Sequence, residues 1–161
     1  MLIAVLSDTH RMDKYIQKAK EYIKNADILI HLGDNVDDAE ELASEFTGEV
    51  YIVRGNCDYS NKYPKERVIE VEDRKVFFTH GDLYGVKYGL NKIYYRSKEV
   101  GADIALFGHT HISMIEKYDN IFFMNPGSIS LPRNSGKYVG FIEINKNEEP
   151  SIYLKEFTFE R

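Results

Sequence analysis

Short apolar runs recur along this chain, and five of them break off into carboxylate, amide or imidazole side chains. Residues 2–6 lead into Ser7-Asp8-Thr9-His10, residues 27–30 into His31-Leu32-Gly33-Asp34, and residues 50–53 into Arg54-Gly55-Asn56-Cys57-Asp58. Residues 75–78 lead into Thr79-His80-Gly81-Asp82, and residues 104–107 into Gly108-His109-Thr110-His111. Each run has the length of one buried strand. Between the first runs the period becomes helical. Tyr15, Ile16, Ala19, Tyr22 and Ile23 share a face, which predicts a helix over 13–25 with Asp13 as its N-cap. A second helix is predicted over 37–45, where Asp37-Asp38-Ala39-Glu40-Glu41 complements the positive end of the helix dipole.

This βαβαβ opening argues for parallel strands joined by right-handed crossovers. Parallel strands of one sheet gather their C-terminal ends at a single rim, where α/β sheets place their sites. Beyond residue 66 the pattern changes. Strands at 67–71 and 76–79 form a hairpin, a helix spans 88–100 with Ile93, Tyr94 and Ser97 on one face, and a strand follows at 104–107. Further strands are predicted at 114–118, 121–124, 139–144 and 152–159, with Asp119-Asn120 as a tight turn. So many strands exceed one comfortable sheet. The expected fold is α/β: two packed β-sheets with about three helices outside, in one domain over 1–161 with short connections and no linker.

Composition narrows the class. The chain has 161 residues, 43% hydrophobic and 29% charged, an ordinary globular balance. Its net charge of −5 and lack of a basic stripe do not favour extended nucleic-acid binding. Cys57 is the one cysteine, so no intramolecular disulfide forms. No stretch approaches the roughly 20 apolar residues of a membrane span, and the N-terminus lacks a basic leader. The expectation is a cytoplasmic protein with no membrane association.

The polar clusters supply the chemistry. Asp8 and His10 are two residues apart, as are His109 and His111, and in extended backbone such pairs face the same way. Gly33, Gly55, Gly81 and Gly108 beside the clusters allow close backbone approach. Asp8, His10, Asp34, Asn56, His80, His109 and His111 are the candidate metal ligands. Carboxylate, imidazole and amide without a thiolate set suit Mn, Fe, Co, Ni or Zn better than a structural zinc site. Seven donors exceed the needs of one tetrahedral ion and fit two ions sharing a carboxylate, about 3.5–4 Å apart.

Asp-x-His, Gly-Asp, Gly-Asn-x-Asp, His-Gly and Gly-His-x-His, in that order, resemble the calcineurin-like metallophosphoesterases. The resemblance runs from Asp8 to His111 and continues to Asn125-Pro126-Gly127-Ser128. The size and the Gly-Asn-Cys-Asp variant are similar to the small single-domain archaeal and bacterial phosphodiesterases of that family. The resemblance implies a four-layer αββα sandwich of two mixed sheets. It implies two divalent ions per chain, Mn or Ni foremost, with Co, Fe and Zn as further candidates. One ion would be held by Asp8, His10, Asp34 and His111, the other by Asp34, Asn56, His80 and His109, with Asp34 bridging. It also implies hydrolysis of a small phosphodiester by a hydroxide between the ions. Asp34, Asn56, His80, Cys57 and Asp58 would be the catalytic residues. The alternatives are a phosphomonoesterase or nucleotidase of the same family and a non-catalytic scaffold similar to the retromer subunit of this fold. A homo-oligomer is a further expectation.

One departure stands out. The family's usual His near the leaving oxygen is replaced by Cys57, a poorer proton donor to an alkoxide. Cys57 is either a small buried hydrophobe or part of the substrate pocket. Asp58 is a candidate for orienting a ligand. His31, inside an apolar run, reads as a packed histidine rather than a ligand. Asp82 reads as structural. Asn125-Pro126-Gly127-Ser128 is either a plain turn or a support beneath the ligands. Arg133 is a candidate substrate contact, as guanidinium matches phosphate geometry; Arg11 and Arg54 flank ligands and are candidates on the same footing.

Overall fold

In the computed structural model, residues 1–133 and 136–159 are described. The alternation of inward and outward side chains builds ten strands and three α-helices: β1 (Leu2–Leu6), α1 (Asp13–Ile23), β2 (Ile28–His31), α2 (Val36–Ser44), β3 (Glu49–Ile52), β4 (Glu66–Val71), β5 (Arg74–Thr79), α3 (Asn91–Val100), β6 (Ile104–Leu106), β7 (Met114–Tyr118), β8 (Ile121–Asn125), β9 (Tyr138–Glu143) and β10 (Ser151–Glu156). A 3₁₀ turn covers Asp82–Tyr84.

The strands form two five-stranded sheets, ordered β10-β9-β1-β2-β3 and β4-β5-β6-β8-β7. β1, β2 and β3 are parallel, with Leu6 opposite His31 and His31 opposite Ile52, so all three end level. β5, β6 and β8 are parallel in the second sheet. The antiparallel strands lie outside these parallel cores. Both sheets are therefore mixed.

Three apolar interfaces separate four layers. Ile3, Val5, Ile28 and Ile30 of the first sheet meet Val76, Phe78, Ile104 and Leu106 of the second. Ala4, Leu6 and Leu29, on the opposite face of the first sheet, pack on Tyr15, Ile16, Ala19 and Ile23 of α1 and Leu42 of α2. Phe77, Ala105 and Phe123 carry Ile93 of α3 on the outer face of the second sheet. Adjacent residues Phe77 and Phe78 thus point into different interfaces, as the period of a strand requires. The result is the αββα sandwich expected from the sequence. No described helix is long and apolar enough to cross a membrane.

Several boundaries differ from expectation. Asp13 is the first helical residue of α1 rather than its cap; Met12 occupies that position and provides no side-chain cap. α3 begins at Asn91, because the 3₁₀ turn and Gly85 and Gly89 at positive φ take up the segment before it. β10 stops at Glu156. Phe157, whose N–H still donates to Lys137 O at 2.8 Å, packs its ring against Tyr15 and Tyr22. The five liganding segments do not share one sheet's rim: three follow β1, β2 and β3, and two follow β5 and β6 in the facing sheet.

Because Phe78 is fully buried between the sheets, Phe78→Ala is expected to lower the free energy of unfolding by ~3–5 kcal/mol, measured by denaturant titration.

Candidate metal centre

The rims of the two sheets face each other, and the loops after β1, β2, β3, β5 and β6 converge there. Two groups of donors result. Asp8, His10 and His111 form one, and Asp34, His80 and His109 the other, with ligand atoms within 4.8 Å of one another in each. His80 Nε2 joins them, lying 3.4 Å from Asp34 Oδ2 and 3.8 Å from Asp8 Oδ1. Asn56, the seventh candidate, is exposed on the adjoining loop beside Gly55.

The backbone at these ligands is not extended. Asp8, His10, Asp34, His109 and His111 all have φ between 51° and 70°, the left-handed region that non-glycine residues seldom adopt. Asp8 and His10 therefore enter one group by a different geometry from the extended one expected, and His109 and His111 enter different groups of the centre, the division the family resemblance implied. The left-handed turns rotate each side chain toward the gap between the sheets.

Each carboxylate has one oxygen pinned and one presented. Asp8 Oδ2 accepts from the Ser7 hydroxyl and from the His109 N–H at 3.0 Å. Its Oδ1 lies 3.2 Å from His111 Nε2, is shielded from solvent and makes no hydrogen bond. Asp34 Oδ1 accepts from the Cys57 N–H at 2.9 Å, leaving Oδ2 toward His80. The histidines are oriented by backbone. His80 Nδ1 donates to Leu32 O and His111 Nδ1 to Leu131 O, each at 2.8 Å. A carbonyl only accepts, so Nδ1 carries the proton and Nε2 faces the carboxylates. His10 Nε2 lies 3.0 Å from His111 Nε2, and His80 Nε2 lies 3.2 Å from His109 Nδ1.

So many lone pairs at such distances require a shared cation, either protons or metal. The titration behaviour agrees. Burial alone would lower His80, but the Asp34 and Asp8 carboxylates outweigh it and raise it to about 9. Burial alone would raise Asp8, but the imidazoles of His111 and His80 outweigh it and hold it below the usual carboxylate range. Asp8 raises His111, while burial and the charge of His80 lower His109. The orphaned Asp8 Oδ1 and the Nε2 atoms turned toward it fit divalent cations.

Support comes from neighbours that hold backbone. Asp58 Oδ1 accepts from the Asn35 and Val36 N–H groups, and Oδ2 from those of Asp34 and Gly55, at 2.8–3.0 Å. It thereby fixes the left-handed turn at Asp34 and the start of α2, and acts through its neighbours rather than on a ligand atom. Ser128 Oγ donates to Asp8 O, Ser130 Oγ to Thr9 O, and Asn125 Nδ2 to Gly108 O. The Asn125–Ser128 segment is thus the support beneath the ligands. Gly55 and Gly108 are obligatory, since a Cβ would lie 2.1 Å from Asp34 Oδ1 at the first and 2.0 Å from Ser7 Oγ at the second.

The remaining candidates separate. His31 is buried, with Nε2 3.2 Å from Thr9 Oγ1 and Nδ1 accepting from Gly33 N–H, and burial lowers it to about 4. It is the packed histidine expected. Cys57 is exposed at the rim, not a buried hydrophobe. Partial burial and the Asp34 charge push its thiol up to about 11. Arg133 is exposed, its N–H donates to His111 O, and its charge reaches His111. Arg11 donates its N–H to Asp38. Asp82 opens the 3₁₀ turn after His80. The carbonyls of Leu32 and Leu131 leave no trace in a sequence. Ser7 and Ser130 were equally unannounced as supports, whereas Ser128 lies in the segment anticipated as one.

Comparison with known proteins agrees with this geometry. Residues 1–147 match the model of the calcineurin-like phosphoesterase superfamily domain. The chain is 37% identical over 134 residues to the probable metallophosphoesterase YsnB of Bacillus subtilis, covering 83% of this chain and 78% of that protein. It is 38% identical over 137 residues to a probable metallophosphoesterase of Methanocaldococcus jannaschii, covering 83% and 70%. The phosphodiesterase YfcE of Escherichia coli is 33% identical over 104 residues, 58% of this chain and 51% of that protein. Among solved structures, a predicted phosphoesterase from Streptococcus pneumoniae superposes with a TM-score of 0.76 at 26% identity, covering 96% and 97%. Vps29 from Entamoeba histolytica superposes with 0.78 at 19% identity, covering 98% and 100%, a likeness of fold alone.

Two measurements probe the centre. Asp58→Ala is expected to cost ~2–4 kcal/mol of stability by stranding backbone donors and to weaken metal binding roughly 10–100-fold, with Asp58→Asn milder on both counts. Metal must displace the proton that Asp34 and Asp8 hold on His80, so apparent affinity should rise with pH up to about 9. Calorimetry in buffers of different ionisation heat at neutral pH should show proton release on metal binding, and none attributable to this residue in His80→Gln.

Proposed function

The chain belongs to the calcineurin-like phosphoesterase superfamily, and from this we propose that it is a binuclear metal-dependent phosphodiesterase acting on small phosphodiesters. The observation that carries the reading is the pair of adjoining donor groups, Asp8–His10–His111 and Asp34–His80–His109, with His80 Nε2 within 3.8 Å of a carboxylate from each. Asp8, His10 and His111 would hold one cation; His80, His109 and Asn56 would hold the other; and Asp34 would serve both. Cations bound there supply Lewis acidity toward water and toward the phosphoryl oxygens. Mn or Ni is the first expectation for a set of carboxylate, imidazole and amide donors.

The chain's own residues set the conditions for reaction. Pinning Asp8 Oδ2 and Asp34 Oδ1 fixes which oxygens face the centre. The carbonyls of Leu32 and Leu131 hold His80 and His111 in one tautomer. In the hydrolysis, a water oxygen forms a bond to phosphorus and one ester P–O bond breaks. The leaving oxygen needs a proton unless it departs as a stable anion. Cys57 is the exposed residue in the place where the family's usual motif has histidine. A thiol pushed up to about 11 is a weak donor at neutral pH. Aryl diesters, whose oxygens leave without help, are therefore the favoured substrates, and alkyl diesters the slow ones. The relationship to YfcE, itself named a phosphodiesterase, supports the diester reading. The convergence of six donors, with Asn56 on the adjoining loop, supports an enzyme over a binding module, which has less use for them.

Reconstitution of the metal-stripped protein with Mn, Ni, Co, Zn and Mg, assayed on matched aryl phosphodiesters and monoesters, tests the reading. Diester turnover should exceed monoester turnover, and Asp34→Asn should lower it at least ~100-fold; equal rates on monoesters would overturn the diester assignment. Across a series of leaving groups the rate should depend steeply on leaving-group acidity. Cys57→His should flatten that dependence by raising alkyl diester rates ~10–100-fold; a flat plot for the unaltered protein would remove Cys57 from the account.

A further inference from the structure

Of the five histidines, all within the described residues, His31 alone enters neither donor group. It ends β2, fully buried between Leu6 of β1 and Ile52 of β3. Both ring nitrogens are engaged, each with a different ligand loop. Nδ1 accepts from the Gly33 N–H at 3.2 Å, one residue before Asp34. Nε2 lies 3.2 Å from Oγ1 of Thr9, which stands between Asp8 and His10. Because an N–H only donates, Nδ1 is bare and the neutral ring carries its proton on Nε2, directed at the Thr9 hydroxyl. His80 and His111 hold the opposite tautomer.

A buried histidine needs only that its nitrogens be satisfied, and any polar group of the core would do. The partners here are instead the two segments whose spacing matters most. Thr9 is buried with a candidate ligand on each side, and Gly33 adjoins the carboxylate that would serve both cations. Asp8, His10, Gly33 and Asp34 all lie at positive φ. The Asp8 N–H also joins the two segments, donating to Gly33 O at 3.0 Å. A single bond leaves them free to pivot, and the imidazole adds a second attachment. Its nitrogens sit at a fixed separation with no rotatable bond between them, so the ring holds Gly33 and Thr9 apart by a set width. Burial pushes the ring down to about 4 against the pull of the Asp38, Asp8 and Asp58 carboxylates. The tether is therefore uncharged at neutral pH and adds no repulsion toward incoming cations.

We propose that His31 is a positioning residue: one neutral imidazole sets the spacing between the loop of Asp8 and His10 and the loop of Asp34, and with it the separation of the two donor groups. It touches no cation and no substrate, and acts through Thr9 and Gly33. The assignment rests on the binuclear reading for the ions it spaces, but its readouts are spin coupling and metal affinity rather than turnover.

The test loads the protein with a pair of Mn(II) ions per chain and records electron paramagnetic resonance, with calorimetry of Mn(II) binding and thermal unfolding of the metal-free protein alongside. The unaltered protein should give the exchange-coupled signal of adjoining ions. Thr9→Val removes the hydroxyl at nearly constant volume, and Thr9→Ser keeps it. Thr9→Val and His31→Leu should lose most of the coupled signal to that of isolated ions and bind Mn(II) ~10–100-fold more weakly. Thr9→Ser should keep the coupled signal and bind almost as tightly. If His31→Leu does not fold, the Thr9 pair carries the comparison. A lower melting temperature with coupling and affinity unchanged in Thr9→Val, or equal losses in Thr9→Val and Thr9→Ser, would overturn the proposal. Uncoupled ions in the unaltered protein would refute the binuclear reading. Affinity would then decide the positioning role: it stands if Thr9→Val weakens binding ~10-fold or more and Thr9→Ser does not, and falls otherwise. A coupled signal and full affinity in every variant would uphold the binuclear reading and remove His31 from it.

Discussion

Five of the seven candidate ligands are held at positive φ, and every other property of the centre follows from how that conformation is maintained. Left-handed backbone at a non-glycine residue costs of order 1–3 kcal/mol and persists only where its surroundings over-determine it. Here the surroundings are explicit. Asp58 gathers four N–H groups around the turn at Asp34. Ser128 and Ser130 fasten the carbonyls of Asp8 and Thr9 from a segment more than a hundred residues away in sequence. Asn125 fastens Gly108. Beneath these lies the dry interface between the sheets, which fixes the level at which each strand ends.

The same constraint sets the electrostatics. Turning Asp8, Asp34, His80 and His111 inward buries charge and lone pairs that water would otherwise solvate. Burial alone would discharge the carboxylates and the imidazoles alike. Their mutual attraction reverses this for Asp8, Asp34 and His80. The site therefore keeps two carboxylates ionised in a poorly solvated gap, which is what a pair of divalent cations needs. Backbone carbonyls direct the imidazoles at no further cost in charge, since they occupy Nδ1 and leave Nε2 inward.

Beyond the centre, the rim is asymmetric. Met12, Ile112 and Leu131, near His10 and His111 in the chain or by hydrogen bond, are exposed and apolar, while the cavity that includes Asn56 is polar. Cys57 is exposed, its backbone N–H tied to Asp34. The hydrogen bond that orients this carboxylate is made by the main chain and does not depend on the side chain at position 57.

The sequence alone determined the inventory and its placement along the chain. Apolar runs of strand length marked the elements, and the polar residues following them named the donors, because burial of a strand and exposure of its end are local properties written in adjacent residues. The motif order carried the family, and the sheet-sandwich layout followed from the number of strands. Tertiary structure decided the rest. That five of the candidate ligands sit at positive φ, that Asp58 serves backbone rather than a ligand atom, and that Ser130 fastens the carbonyl of Thr9 all depend on left-handed turns and on contacts between distant segments. Such contacts are set by how the sheets stack and where their strands end relative to one another. No local pattern of hydrophobic and polar residues encodes that distance.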